Sequence, residues 1–348
     1  MLTIALLALA QASAPQSAQK QGPIKSFGAW VVACDNARRC EMTSIWPDDN
    51  QPGDGSPYDQ ISVSIERAAG PAGGWSVEIQ LPGESGSDRV QLSTDRGFFL
   101  WGVPRSDRLA FTGAQAAQIV AAMVDGTDLR VGSEVDVTGM ASLKGSSAAL
   151  RFIDAEQGRA GTVTAVVAKG VKPASAVPAA PALPKVGFVR PAGVAAPFTP
   201  AMRKALDKSS ECGAVYEGGT GELPEVERVA LGGGKTLLLL PCGSGAYNFS
   251  TEPYILAPGA QPVLAKFDSP PGFTEADDGR PSLVNASFDA KTGRLESYSK
   301  GRGLGDCGSM EGYVWDGSMF RLVEARSMPE CRGSVNWLTT WRAEPVAK

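Results

Sequence analysis

The sequence predicts a mainly β protein with a few helices (α+β), built as two β-rich domains joined by an Ala/Pro-rich linker. Three observations carry this expectation. Apolar stretches of strand length recur along the chain between turn residues, and 41 Gly and 25 Pro stand among 348 residues. The length suits two cores, since a domain takes roughly 100 to 200 residues. Between Pro173 and Pro200, 7 Pro and 8 Ala crowd 28 residues, a composition that excludes a regular helix or a central strand and predicts an extended spacer. The expected boundaries are 23–168 for the N-terminal domain, 169–198 for the linker and 199–346 for the C-terminal domain.

Taken in chain order, the first feature is the apolar run Leu2–Ala10, followed by an A-x-A site at Ala10-Gln11-Ala12. This layout predicts a signal peptide over residues 1–14, cleaved near Ala12 or Ala14, and a periplasmic or secreted location. No stretch reaches about 18 consecutive apolar residues, so no transmembrane span is expected after cleavage. Strands are expected at Trp30–Cys34, Cys40–Trp46, Ile61–Arg67, Trp75–Leu81, Arg89–Ser93 and Phe98–Val103. Thr112 is placed to cap a helix whose Ala116, Ile119, Val120 and Met123 share one face, with Gly126 as its stop. A second helix is expected from Ser142, with Ala149, Leu150 and Ile153 on one face, ending near Gly158. Residues 169–200 carry Lys169, Lys172, Lys185 and Arg190 and no acid, which makes the linker basic.

Beyond it, Thr199 and Pro200 open a helix with Met202, Ala205 and Leu206 on one side. Thr236–Pro241 reads as a buried strand. Leu283–Phe288 and Leu295–Tyr298 flank a hairpin loop ending at Gly293. Asp316-Gly317 is the strongest two-residue hairpin signal, setting Trp315 opposite Ser318 and Tyr313 opposite Phe320, so that Tyr313, Trp315, Phe320 and Leu322 share a face. Val335, Trp337, Thr339 and Trp341 alternate in a last strand.

Composition also excludes chemistry. With six cysteines and no histidine, the chain cannot build a Ser-His-Asp or Cys-His nucleophile pair or a histidine-ligated metal site. The net charge of -4, from 33 basic and 37 acidic residues, leaves no footprint for nucleic acid. The cysteines are Cys34, Cys40, Cys212, Cys242, Cys307 and Cys331; none forms a C-x-x-C, so structural disulfides fit better than a redox pair or a zinc ribbon. If each half folds alone, Cys34 joins Cys40 and three arrangements remain for the other four. Sequential pairing, Cys212 with Cys242 and Cys307 with Cys331, suits a β-meander.

The segments Ser26-Phe27-Gly28-Ala29-Trp30-Val31-Val32-Ala33-Cys34-Asp35-Asn36 and Gly301-Arg302-Gly303-Leu304-Gly305-Asp306-Cys307-Gly308, with the six-cysteine framework, resemble the domain-of-unknown-function family 1176. Through Phe27-Gly28, Trp30, Val32 and Cys34, and through Ser142-Leu143-Lys144-Gly145 to Ala149-Leu150, the N-terminal half is also similar to the invasion-associated locus B family. These resemblances imply an exported proteobacterial protein of this fold type and supply no catalytic residue.

The remaining motifs read as architecture. Gly232-Gly233-Gly234-Lys235 lacks the helix a phosphate loop needs and reads as a hairpin turn. Gly301-x-Gly303-x-Gly305 lacks a βαβ context, and Cys242-Gly243-Ser244-Gly245 is not a G-x-S-x-G elbow. The acids Asp48, Asp49, Asp54 and Asp59, and Glu275, Asp277 and Asp278, read as solvated loop residues, since Pro52 breaks calcium-loop spacing. No cofactor and no metal is expected. The aromatic residues Tyr313, Trp315, Phe320, Trp337 and Trp341 read first as core and second as a groove lining. Arg302, Asp306 and Glu311, beside Cys307, are the candidate ligand-binding residues. The function expected is a non-catalytic binding or cell-envelope interaction module, its partner an envelope protein or glycan. The alternative is a histidine-free hydrolase acting on envelope glycan or peptide through carboxylates.

Overall fold

A computed structural model describes residues 19–48, 56–83, 89–133, 136–210, 212–216, 224–271 and 280–348. The signal peptide expected at residues 1–14 lies outside them, as do Asp49, Asp54, Glu275, Asp277 and Asp278. The fold is mainly β with three α-helices among the described residues.

The N-terminal half holds strands β1 (Ile24–Phe27), β2 (Trp30–Cys34), β3 (Cys40–Ser44), β4 (Ser62–Arg67), β5 (Trp75–Gln80), β6 (Val90–Thr94), β7 (Phe99–Gly102) and β8 (Arg108–Thr112), then helix α1 (Gly113–Ala122), strands β9 (Asp128–Gly132) and β10 (Val137–Ser142), and helix α2 (Ser146–Glu156). One antiparallel sheet runs in the order β1-β2-β3-β4-β5-β8 and a second in the order β10-β9-β6-β7. Strict alternation gives the larger sheet two chemically different faces. Its inner face, with Trp30, Val32, Met42, Val63, Ile65, Val77 and Ile79, packs on Ile119 and Val120 of α1 and Leu150 and Ile153 of α2 in one core. Asp154 of α2 gathers the backbone N–H groups of Val166, Val167 and Ala168 at 2.9–3.1 Å and meets the Arg67 guanidinium at 3.3 Å, which closes this half.

The second helix does not begin at Ser142. That residue ends β10, because the Leu143 N–H bonds back to the Thr127 carbonyl at 2.7 Å and Gly145 adopts φ 94° before the helix starts at Ser146. Local strand pairing outweighs the apolar periodicity there.

The C-terminal half comprises β11 (Lys185–Phe188), α3 (Pro200–Ser210), β12 (Glu227–Gly232), β13 (Lys235–Ser244), β14 (Phe249–Leu256), β15 (Val263–Leu264), β16 (Leu283–Val284), β17 (Ser287–Asp289), β18 (Arg294–Lys300), β19 (Gly308–Trp315), β20 (Phe320–Met328), β21 (Leu338–Arg342) and β22 (Glu344–Ala347). One sheet orders β12-β13-β14-β15, with β16 also on β14, and a second orders β17-β18-β19-β20-β21. Leu237 and Leu239 of β13 face Tyr313, Trp315, Phe320, Leu322 and Trp341 in the core between them. Within the Pro-rich segment, β11 pairs in parallel with β22, so this extended stretch is strapped to the C-terminal end of the chain.

Three local expectations are corrected. Trp315 pairs with Phe320 and Tyr313 with Leu322, two residues out from the two-residue-turn register. Asp316 causes the shift: its carboxylate accepts the N–H groups of Ser318 at 2.7 Å and Met319 at 2.9 Å, closing a four-residue loop. The shared aromatic face survives because the displacement is an even number of residues. Leu283–Phe288 is interrupted at Asn285, which takes φ 44°, and its two ends join different sheets. The last alternating strand begins at Leu338, leaving Val335 and Trp337 in the loop before it.

Candidate binding groove at the seam

The disulfides join Cys34 to Cys40, Cys212 to Cys242 and Cys307 to Cys331. The third stands at the base of the Cys331–Trp337 loop, which docks on the N-terminal half. Arg332 donates to the carbonyls of Trp46 at 2.7 Å and Gly28 at 3.1 Å and pairs with Asp48 at 2.8 Å, while its own carbonyl accepts the Trp46 N–H at 2.8 Å. Gly333, at φ +81°, lies against the Trp46 indole where a Cβ would collide, so only glycine permits this approach. Asn336 Nδ2 donates to Ser62 Oγ at 2.8 Å, and the Thr339 N–H donates to Glu41 Oε2 at 2.8 Å. Beneath these polar contacts Val31, Ala33 and Ile45 pack with Cys307, Met328 and Leu338.

Where this covered strip ends, a groove of about 330 Å³ opens. Its floor is the outer face of β3, β4 and β5. The register sets Glu41 opposite Glu66, Glu66 opposite Ser76, and Ser64 opposite Glu78, so three carboxylates and two hydroxyls share that face. Val335, Asn336, Trp337 and Leu338, with Arg326 of β20, border the other side. Trp337 stacks on Tyr298 with ring centroids 4.6 Å apart. Arg39 ties Glu41 at 2.6 Å and Glu66 at 2.8 Å, and Arg108 meets Glu78 at 2.5 Å.

The expected site residues serve different purposes. Arg302 grips Asp306 through both carboxylate oxygens, at 2.7 and 2.5 Å, and the buried Asp306 also accepts the Gly333 N–H at 2.7 Å. Burial pushes the Asp306 carboxyl upward, but the Arg302 and Gly333 hydrogen bonds outweigh it and hold the group below the usual carboxylate range. This pair therefore braces the loop that walls the groove. Glu311 is buried on β19, in register with Ser297 and Ala325. Of the five aromatics, Tyr313, Trp315, Phe320 and Trp341 are core, and Trp337 borders the groove.

Sequence reading missed Glu41, Ser64, Glu66, Ser76 and Glu78. Their signal was the polar half of the alternation in three successive strands, which acquires meaning only once register aligns it. The other motifs are structural: Gly233 and Gly234, at φ +59° and +75°, form the β12–β13 turn, and Lys235 donates to the Gly317 carbonyl at 2.8 Å. Cys212 and Cys242 lie near Glu252, but their sulfurs are bonded to each other and present no thiolate to a metal.

A family model described as "Protein of unknown function (DUF1176)" matches residues 24–344, across both halves and the seam. The chain belongs to this family. A relative within reach of this DUF1176 chain is the uncharacterized protein YpfG of Escherichia coli (strain K12), 35% identical over 211 residues, which span 58% of this chain and 59% of that protein. Among solved structures, the crystal structure of invasion associated protein B from Bartonella henselae matches 39% of this chain and 99% of its own, at 20% identity and a TM-score of 0.30.

Proposed function

We propose that this chain is an exported, non-catalytic binding module of the cell envelope, in which two β-rich domains (23–168 and 199–346) meet across a linker (169–198) and hold a ligand in the seam groove. The observation that carries the reading is the groove itself, where an aromatic wall at Trp337 faces a row of strand-borne carboxylates and hydroxyls. Concave sites that mix an apolar surface with a few placed polar groups are the usual form of a ligand pocket. Three disulfides support an oxidising compartment, and no helix among the described residues is long and apolar enough to cross a membrane. In this reading Arg302 and Asp306 act by positioning the loop.

The hydrolase alternative draws on Glu41 and Glu66, which stand directly opposite on neighbouring strands. Both are held by Arg39, and Glu41 also accepts the Thr339 N–H, so both Glu41 oxygens are committed to the seam and Glu41 is not free to serve as the second carboxylate, while Glu66 keeps acceptor capacity for a ligand. Binding is the chemistry this geometry favours.

The test titrates the full chain with purified envelope peptide and glycan fragments, comparing wild type with Val335→Trp. Val335 is exposed at the groove wall, so the larger ring fills the groove without entering the core. At least one fragment is expected to bind wild type and to lose about tenfold in affinity, about 1.4 kcal/mol, in the variant. Equal binding of every fragment to both proteins would falsify the groove reading. Cleavage of a fragment, lost in Glu66→Gln, would replace it with the hydrolase.

A further inference from the structure

Resting on the groove reading and deepening it, we propose that the ligand enters as a lysine-type side chain of a peptide, with its ammonium on the floor between Glu66 and Glu78 and its aliphatic stem along Val335 and Trp337. Glu66 and Glu78 are diagonal neighbours on β4 and β5, since Glu66 faces Ser76 and Glu78 lies two residues further on. That diagonal sets the two residues about 7–8 Å apart, with their Cβ atoms somewhat closer. The gap suits one small cation that accepts hydrogen bonds from neither side and donates to both.

A third acceptor completes the set. Ser64, directly opposite Glu78, borders the groove, and its Oγ is shielded from solvent with no hydrogen-bond partner among the described residues. A shielded hydroxyl without a partner is uncommon in a folded protein, and it meets a donor on the floor once the side chain turns toward the groove. An ammonium carries three N–H donors and no acceptor, which matches two carboxylates and one hydroxyl. Donation from an ammonium to carboxylates is stronger than a neutral hydrogen bond.

The neighbouring cations do not close the site. Arg39 spans Glu66, Glu41 and the Thr339 hydroxyl from one side, leaving Glu66 its remaining acceptor capacity. Arg108 meets Glu78 with side chains 55% and 45% exposed, a pairing weak enough to yield. Arg326 is held on Glu324 at 2.6 Å. A long stem is required because the acceptors lie on the floor while the apolar surface forms the wall; lysine side chains habitually lay their methylenes along such surfaces.

The experiment titrates the full chain with acetyl-Gly-Lys-Gly-amide at millimolar concentrations, read by chemical shifts and tryptophan fluorescence. The same peptide with an acetylated lysine is the control. The lysine peptide is expected to bind at least about tenfold more tightly than the acetylated one, with affinity falling as salt rises. Glu78→Gln is expected to weaken it about five- to tenfold and Ser64→Ala by less, with unchanged thermal unfolding in both. Equal affinity for the two peptides, no binding of either, or indifference to Glu78→Gln overturns the proposal. Tighter binding of a glucosamine oligomer than of the lysine peptide, lost in Glu78→Gln, overturns the peptide assignment. Should a neutral fragment bind in a Val335-dependent manner while the lysine peptide does not, the groove reading stands and only the lysine assignment falls.

Discussion

Two parts of one sheet face have opposite fates. On β2 and just beyond β3, Val31, Ala33 and Ile45 are sealed under Met328, Leu338 and the Cys307–Cys331 disulfide. Two strands further along the same face, Ser64, Glu66, Ser76 and Glu78 stay open beside Trp337. Nothing in the backbone separates these parts, since the register runs unbroken from β2 through β5. The difference lies in what the C-terminal half brings over them: an apolar strip that stops at Leu338. The groove is thus the edge of a packing interface, and Arg39, reaching Glu41, Glu66 and Thr339, stands on the boundary.

The largest expected effect comes from putting the same charge into each part. Val31→Asp buries an unpaired carboxylate in the sealed strip, where it is expected to cost about 3–5 kcal/mol or prevent folding. Ser76→Asp adds the same group on the open part, where water solvates it and the main cost is repulsion from Glu66 opposite, within about 1 kcal/mol. Urea denaturation of both variants measures the contrast; equal losses would mean that the two parts are not differently covered. Next in size, replacing Cys307 and Cys331 by Ala opens a loop of sequence separation 24 and is expected to cost about 3.5 kcal/mol in the chain-entropy account. It should also weaken groove binding, because the loop beyond Cys331 carries the wall. A destabilised variant with full binding would separate the loop from the site.

Four strands of this sheet, β2 to β5, are legible in the sequence as strand-length runs bounded by turns, with clear alternation in Ser62–Arg67 and Trp75–Gln80. The sequence does not show β1, β8, β9 or β10, in which Lys25, Arg108, Asp128, Arg130 and the small or polar Thr138, Gly139 and Ser142 leave few apolar positions to mark a strand. The Asp316 loop was misread because a side-chain hydrogen bond to the backbone, not the Asp-Gly pair, sets its length. For the groove, Trp337 was visible as a candidate aromatic, whereas Glu66 and Glu78 looked like ordinary solvent-facing residues. Their significance depends on cross-strand register and on the arrival of a loop more than 250 residues away in sequence, as in the Ser62–Asn336 hydrogen bond with its separation of 274. Arg302 and Asp306 were noticed beside their cysteine, yet their contacts run to Gly333 and give them a bracing role.

That brace sharpens the comparison through pH. The Asp306 pKa is depressed in the folded chain, so its contribution is fully present above the unfolded carboxylate value of about 3.9 and is lost as pH falls through the folded value. Asp306→Asn is expected to cost about 1–3 kcal/mol near neutral pH by disturbing the Arg302 and Gly333 bonds. The variant should also lose stability less steeply than wild type below about pH 4. Parallel acid limbs in the two proteins would remove Asp306 from the account of how the wall is held.

The smallest stability effect belongs to Arg108→Gln, and it separates the two parts of the face most cleanly. The Arg108–Glu78 pair lies in water on both sides, and exposed pairs of this kind contribute about 0–1 kcal/mol. Thermal unfolding should therefore barely move. Binding should move in the opposite direction to a lost contact: with its competing guanidinium gone, Glu78 is free to receive an incoming ammonium, and affinity for the lysine peptide should rise. In the sealed strip, removing a partner only weakens the structure, because no water or ligand replaces it. A gain of binding without a change of stability is what an open, ligand-facing surface allows, and a fall in affinity in Arg108→Gln would show that Arg108 itself, rather than the carboxylate it covers, meets the ligand.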